Sequence, residues 1–247
     1  MKNKNRIYLL DELRGLCIIL MVAYHFFYSA GMVYHYDWSV NIFNLLKPWQ
    51  PILPISFILL SGIACNLSRS NLKRGLLLLG VAVAITLVTY FFLPEQVIWF
   101  GIIHLLAFAN IICAPLKKPI LKIPSVIGVI IFGLLFVATY NIQQGYMGFM
   151  PDFAIQLPKF LYSTDYTMML GFYSPSFYSA DYFPLIPWIF LFIAGISLGK
   201  NIHKLPKILK KRHIRPLAFV GRHSLIIYLA HQPIILGIIY AVQHFIK

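Results

Sequence analysis

Long apolar runs alternate with short polar segments along most of the chain. Each run is long enough, at about 20 residues, for an α-helix to cross a bilayer. The runs cover residues 9–31, 50–68, 74–93, 98–115, 123–141, 184–200 and 216–244. The pattern predicts an all-α, polytopic membrane bundle with about seven transmembrane helices, formed by residues 1–247 as a single domain.

Composition points to the same class. Hydrophobic residues make up 60% of the 247 residues, charged residues only 11%, and the mean hydropathy is +0.77. A soluble domain of this length has no core that could bury so much apolar surface, so the lipid bilayer is the predicted solvent. The net charge of +14 comes from short clusters between the apolar runs, which is typical of membrane topology and argues against a nucleic-acid partner. We expect a multi-pass protein of the cell membrane, the inner membrane in a bacterium.

The basic clusters lie on one side of the predicted spans. Sixteen Lys and Arg residues precede the first run or fall in segments 69–74, 117–122 and 200–215, and three fall in the other connections. Because basic residues concentrate in cytoplasmic loops, the N-terminus is predicted to be cytoplasmic and the C-terminus outside. The first run is predicted to be a retained helix and not a cleaved signal peptide, since charges at 11–14 interrupt its start.

The segment 142–183 is a long connection on the predicted outer side, and it is rich in aromatic residues. Long connections in compact domains are usually functional or disordered, and this aromatic content argues against disorder. We predict that the segment folds back over the outer mouth of the bundle. The alternative is an aromatic belt that lies on the lipid headgroups.

A few ionisable side chains interrupt the apolar runs or lie at their ends. They are Asp11, Arg14, His25, His104, Asp181, Arg222 and His231. Such groups cost roughly 2.5–3.5 kcal/mol each in a bilayer, so they usually face a protein interior and serve a function. Each also has a structural alternative, because an arginine can snorkel to lipid phosphates and a buried histidine can bond to a backbone carbonyl.

Helix geometry places several of these residues on common faces. Arg14 and His25 are eleven residues apart, about three turns, so they share a face of the first helix, with His25 about 16 Å further outward. Asp11 and Arg14 have the i, i+3 spacing of an ion pair. Ser224 and His231 share a face of the predicted helix 216–244. The sequence therefore predicts a polar path with arginines at the inner end and imidazoles further out.

This combination suits two kinds of chemistry. Imidazole accepts protons near neutral pH, and arginine binds phosphate groups. Acyl transfer from a phosphorylated cytoplasmic carrier to an outside acceptor fits both. The alternative is a proton-coupled transporter, or a non-catalytic membrane binding protein, that uses the same residues. The three cysteines lack the spacing of a disulfide framework or a zinc site, so no metal is predicted.

Several segments resemble the heparan-α-glucosaminide N-acetyltransferase-like family, in its bacterial branch, within the wider group of transmembrane acyltransferases. The most specific are LLDELRGLCIILMVAYH, DYFPLIPW and GRHSLIIYLAHQPIIL, and with the segment that begins FILLSGIACNLSRS they cover well over half of the chain. The resemblance implies acetyl-CoA or another acyl-CoA as the cytoplasmic donor. It implies a sugar amine or hydroxyl, or a similar small acceptor, on the far side, and hence a role in carbohydrate modification.

The predicted site residues combine these motifs with the buried ionisable groups. The candidates for binding the donor are Asp11, Arg14, His104, Arg222, Ser224 and Gln232. The candidates for catalysis are His25, His35, Asp181 and His231.

Two departures from the family bear on the mechanism. The eukaryotic branch has about eleven helices and places its proposed catalytic histidine after the first helix, where this chain has His35 in HYDW. His25 and His35 therefore compete for the catalytic role, and His25 is favoured because it shares a helix face with Arg14. The chain is also much shorter, which predicts either a homodimer or a different, smaller acceptor.

Overall fold

The computed structural model describes residues 6–148, 153–204 and 206–245. Its helices, numbered in chain order, are α1 (Tyr8–Tyr28), α2 (Asp37–Leu46), α3 (Ile52–Ala64), α4 (Asn71–Phe92), α5 (Ile102–Lys122), α6 (Ser125–Thr139), α7 (Leu185–Leu198), α8 (Lys207–Lys210), α9 (Arg215–Arg222) and α10 (Ser224–Phe245). Two short antiparallel strands, β1 (Tyr146–Met147) and β2 (Ile155–Gln156), pair in the long connection between α6 and α7. The all-α architecture is confirmed.

Six helical segments of the described chain are long and apolar enough to cross a membrane. They are Tyr8–Val33, Asn71–Phe92, Ile102–Lys122, Ser125–Gln144, Leu185–Lys204 and Ser224–His244. The predicted second span, 50–68, contains the shorter apolar helix α3, whose 13 residues reach about 20 Å against a hydrocarbon core of about 30 Å. The polytopic membrane class is therefore confirmed, with six long spans and one short helix where seven spans were predicted.

Helix ends also differ from the prediction. The predicted helix 216–244 is divided at His223 into α9 and α10. Helix α1 continues into a π-helical turn, Ser29–Val33. Helix α5 runs on through Pro115 and Pro119, which a membrane helix tolerates where neighbouring groups bond to the freed carbonyls.

The chain divides into two compact units. The first comprises the residues up to Phe57 and those from His203 onward, and the second comprises Ile58–Ile202. In the first unit, α1 packs against α2, α9 and α10. A small core there joins Ala30 to Ile235 and Ile239 of α10.

The second unit is built on two inner helices. Helix α4 packs against α5, and α7 packs against both α5 and α6. The apolar stretch of α7 is 67% buried and that of α5 is 50% buried, whereas the other long spans are at most 22% buried. The outer helices therefore present most of their apolar surface to lipid, as expected where the solvent is a bilayer. The single domain over residues 1–247 stays a prediction.

The aromatic-rich connection belongs to the second unit, and its residues 149–152 lie outside the described part of the chain. Its end is tied to the start of α5 by a parallel bridge between Phe100 and Tyr182. The ring centroid of Tyr182 lies 5.2 Å from that of Tyr173, and its hydroxyl donates to Met168 O at 2.6 Å. Burial raises the pKa of Tyr182 above its usual value. These contacts hold the described part of the connection to α5 and to itself, and its position over an outer mouth stays a prediction.

Candidate functional site

The start of α1 carries an ionic cluster. The buried Asp11 accepts a hydrogen bond from Arg6 Nε at 2.6 Å, and its other carboxylate oxygen lies 3.8 Å from Arg14 Nη1. The predicted pairing of Asp11 with Arg14 is therefore confirmed. The hydrogen bond to Asp11 raises the pKa of Arg6, so the Arg6 guanidinium group stays charged at any physiological pH.

Two imidazoles meet further along the same helix. The ring centroids of His25 on α1 and His231 on α10 are 5.0 Å apart, with an angle of 59° between the rings. Both side chains are half-buried. Residues 206 positions apart in the sequence are thus brought into one pair by the packing of α1 against α10.

The hydrogen bond of His231 fixes its tautomer. His231 Nδ1 lies 2.5 Å from the carbonyl oxygen of Tyr228, one turn earlier on α10. A carbonyl can only accept, so Nδ1 must carry the proton and donate. In the neutral ring, Nε2 then has a lone pair that can accept a proton. His231 Nε2 can therefore act as a proton acceptor within the pair.

Beside the histidine pair, a second polar contact joins α10 to the turn that follows α1. Gln232 Nε2 donates to Ser29 Oγ at 3.2 Å, and Ser29 is fully buried in the π-helical turn that follows α1. Ser29 is four residues after His25, one helical turn onward. The predicted residue Gln232 therefore lies beside the histidines, where it links α10 to the end of α1.

His35 lies beyond the π-helical turn, in a different environment. It is exposed and adopts a left-handed backbone conformation with φ of +58°. That conformation is uncommon for a residue with a side chain, although histidine is among those that adopt it more often. The turn is held from both sides, since Tyr36 N donates to Ala30 O at 3.0 Å and Ser39 Oγ donates to Phe27 O at 2.9 Å.

Helix α9 supplies the predicted Arg222. Its Nε donates to Ala218 O at 3.1 Å, one turn earlier, and its guanidinium carbon lies 6.0 Å from the ring centroid of Phe219. Ser224 follows directly after the break at His223, as the first residue of α10. It stays on the face of His231, because both lie on one uninterrupted helix and are seven residues apart.

The second unit holds the other two predicted residues, both at the start of α5. Gly101 N donates to His104 Nδ1 at 3.2 Å, so His104 Nε2 carries the proton and donates to Thr86 Oγ1 at 3.2 Å. Asp181 Oδ2 accepts from Ile102 N at 3.0 Å, where a carboxylate also interacts favourably with the helix dipole. Both ring nitrogens of His104 are thus engaged in holding the helix start. Donor binding by His104 and catalysis by Asp181 stay predictions.

Glu12 was not among the predicted site residues. It is only 5% exposed, and its Oε1 accepts from His213 N at 2.7 Å and from Ile214 N at 2.9 Å, just before α9 begins. The signal in the sequence was a second carboxylate beside Asp11 at the start of an apolar helix. Its partners are two backbone groups about 200 residues away, which no local pattern reveals.

Two glycines were also missed. A side-chain carbon on Gly221 of α9 would lie 1.7 Å from Asp11 O, and one on Gly15 of α1 would lie 2.1 Å from Leu217 O. The backbones of α1 and α9 therefore touch at these positions. Small residues permit this close contact between membrane helices, and here it places the ionic cluster of α1 against α9.

These observations define a multi-pass, all-α membrane protein in which two imidazoles meet between α1 and α10. The chain matches the family model described as heparan-alpha-glucosaminide N-acetyltransferase, catalytic, over residues 6–233. It belongs to this family, as the sequence motifs indicated, and it is accordingly a membrane acyltransferase. No curated protein and no solved structure matches the chain.

Proposed function

We propose that this acyltransferase moves an acetyl or other acyl group from acyl-CoA to an amine or hydroxyl of a sugar or a similar small acceptor. The observation that carries the proposal is the pair formed by His25 on α1 and His231 on α10, whose ring centroids are 5.0 Å apart. Helix α1 also bears Arg14. Membership of the acyltransferase family supports the reaction class.

The reaction requires a proton acceptor. The acceptor nitrogen or oxygen attacks the thioester carbonyl, an amide or ester bond forms, and the carbon–sulfur bond breaks. The attacking group must lose one proton, and the departing thiolate takes one up to become the free thiol of CoA. A neutral imidazole positioned near the attacking group removes that proton, typically for a gain of 10²–10⁴ in rate.

We assign the proton acceptor to His25. Its neighbour His231 has Nδ1 committed to Tyr228 O, so His231 Nε2 is free to share or relay the proton within the pair. Arg14, about three turns before His25, would bind the phosphates of the donor. The extended pantetheine arm of CoA separates its phosphates from its sulfur by a distance comparable to those turns.

The other predicted residues enter this scheme at its two ends. Arg222 and Ser224, at the junction of α9 and α10, are proposed to extend the donor site. Gln232 is proposed to act beside the histidines, through its bond to Ser29. His35 is the alternative base, in the position that the family resemblance favours.

One experiment distinguishes His25 from His35 as the proton acceptor. Purified His25→Ala and His35→Ala are compared with wild type in the transfer of radiolabelled acetyl from acetyl-CoA to glucosamine, a sugar amine. We expect His25→Ala to lose about 10²-fold or more in kcat. His244→Ala is the matched control, since His244 also lies on α10 and bonds through Nδ1 to a backbone carbonyl, and it should keep its activity.

Other outcomes contradict the assignment. Full activity of His25→Ala with loss in His35→Ala transfers the role to His35. Acetyl-CoA that fails to bind wild type in calorimetry, together with pH-driven flux in liposomes, would favour transport over acyl transfer.

A further inference from the structure

A second arginine-rich site lies at the start of α1, around Tyr8. The guanidinium carbon of Arg212 lies 5.0 Å from the centroid of the Tyr8 ring, and that of Arg6 lies 5.9 Å from it. Both distances are within the range of cation–π attraction, which is about 6 Å. Two arginines from distant parts of the sequence are thus gathered on one aromatic ring.

The position of Arg212 is held by its neighbours in the chain. The backbone N–H groups of His213 and Ile214, which follow it directly, both donate to the buried carboxylate of Glu12. Arg6 is held in turn by its hydrogen bond to Asp11. The Arg6 guanidinium group and the backbone that follows Arg212 are therefore held by contacts other than those with the ring, which reduces the entropy that a ligand must overcome to order the site.

The site has an excess of positive charge. Arg6 and Arg14 flank the carboxylate of Asp11, Arg212 lies over the Tyr8 ring, and the carboxylate of Glu12 is engaged by backbone groups. The sequence has no Asp or Glu after Asp181, so the segment that carries Arg212 has no carboxylate side chain of its own. Arg212 itself is exposed, so a ligand in solution can reach it.

We propose that Arg6, Tyr8 and Arg212 form a binding site for the phosphate groups of an anionic ligand. Guanidinium groups bind phosphate oxygens through paired, planar hydrogen bonds, which lysine cannot form. The proposal rests on the proposed function, in which the ligand is the phosphate-bearing nucleotide part of acyl-CoA. The headgroup of an anionic phospholipid offers the same chemistry.

The first test measures nucleotide binding by the full-length protein in detergent, with adenosine 3′,5′-bisphosphate as the probe. We expect Arg212→Gln to weaken binding about tenfold, equivalent to about 1.4 kcal/mol. Lys211→Gln is the matched control, since it removes the same charge from the adjacent exposed residue, and its Kd should stay within about twofold of wild type.

A conservative variant guards against misfolding. Arg212→Lys keeps the charge and loses the planar fork, so its Kd should lie between those of wild type and Arg212→Gln. Equal weakening in Arg212→Gln and Lys211→Gln would reduce the site to a general electrostatic field, and that result would overturn the proposal.

The second arm tests the lipid as the source of the phosphate. Native mass spectrometry counts phosphatidylglycerol molecules retained by wild type, Arg212→Gln and Lys211→Gln. A phospholipid retained by wild type and Lys211→Gln, and lost from Arg212→Gln, assigns the phosphate site to the headgroup. If Arg212→Gln changes neither nucleotide affinity nor lipid retention, the proposed phosphate site is refuted.

Binding and turnover separate this inference from the proposed function. The bisphosphate probe carries no acyl group and needs no chemistry. Wild type could transfer no acetyl group and still bind the probe, with binding lost in Arg212→Gln. The phosphate site would then stand, and the acyl-CoA reaction would be refuted. If transfer is normal and the probe binds all variants equally, the reaction stands and this site falls.

Discussion

Adjacent carboxylates on α1 have different partners. Asp11 pairs with the arginines of its own helix start, whereas Glu12 accepts two backbone hydrogen bonds at the start of α9. A carboxylate at a helix N-terminus is stabilised by the unpaired N–H groups there and by the helix dipole. One residue thus contributes charge to the ionic cluster, and its neighbour fixes the helix that packs against it.

Removal of Glu12 should destabilise the protein. Glu12→Ala leaves the N–H groups of His213 and Ile214 without their charged acceptor, at a cost of about 2–3 kcal/mol. We expect a clear fall in the Tm of the detergent-purified protein. Glu95→Ala, which removes the same side chain from an exposed position, should leave the Tm unchanged. An equal Tm in both variants would contradict the structural role of Glu12.

At the scale of elements, the crossing of α1 and α9 depends on two glycines. Gly15 and Gly221 let the backbones touch, and this contact positions Glu12, Asp11 and the basic segment before α9. The pairing of His25 with His231 depends on the neighbouring contact of α1 with α10. Helix α1 therefore contributes residues to both the ionic cluster and the imidazole pair.

A methyl group at the crossing should force the helices apart. The added carbon in Gly221→Ala would lie 1.7 Å from Asp11 O, and backbone atoms cannot yield to it as a flexible side chain would. We expect a loss of about 1–3 kcal/mol or more in the free energy of unfolding, measured by thermal or denaturant unfolding in detergent.

The chain offers a matched control for this change. Gly237→Ala alters another glycine of a membrane helix, α10, and the added carbon meets nothing within 4 Å. Its stability should be unchanged or higher, since alanine favours the helix by up to about 1 kcal/mol. Similar losses in both variants would show that glycine matters here for a reason other than the close crossing.

For the whole molecule, the short helix α3 decides the topology. The charge pattern requires every predicted run, including 50–68, to cross the membrane. If α3 and its flanking residues do not cross, the N-terminus and the basic segment 200–215 lie on opposite sides. Because basic residues concentrate in cytoplasmic loops, we expect α3 to cross the membrane and both the N-terminus and the segment 200–215 to be cytoplasmic.

Reporter labelling checks this expectation. The native cysteines are replaced by serine, a tag is fused ahead of Met1, and Lys211→Cys and Lys159→Cys are made as single reporters. In intact cells, a membrane-impermeant maleimide should label Lys159→Cys and leave Lys211→Cys unlabelled, and the tag should resist added protease. A tag that is cleaved while Lys211→Cys stays protected would show that α3 does not cross.

The fold class of this protein can be predicted from its sequence because a bilayer requires long apolar helices. Length and hydropathy alone predict the helical membrane class, and the i, i+3 spacing predicts the contact of Asp11 with Arg14. Both depend on local geometry, which a helix repeats at every turn. The motifs of the first and last apolar runs likewise indicated the acyltransferase family.

Only the tertiary structure decided which distant groups meet. The contact of His25 with His231, the bonds of Glu12 to the start of α9, and the gathering of Arg6 and Arg212 on Tyr8 each join residues about 200 positions apart. No periodic pattern encodes such pairs, because they depend on which helix faces pack and how closely the backbones approach. The sequence determined the helices and their charges, and the packing of α1 against α9 and α10 determined which of those groups meet.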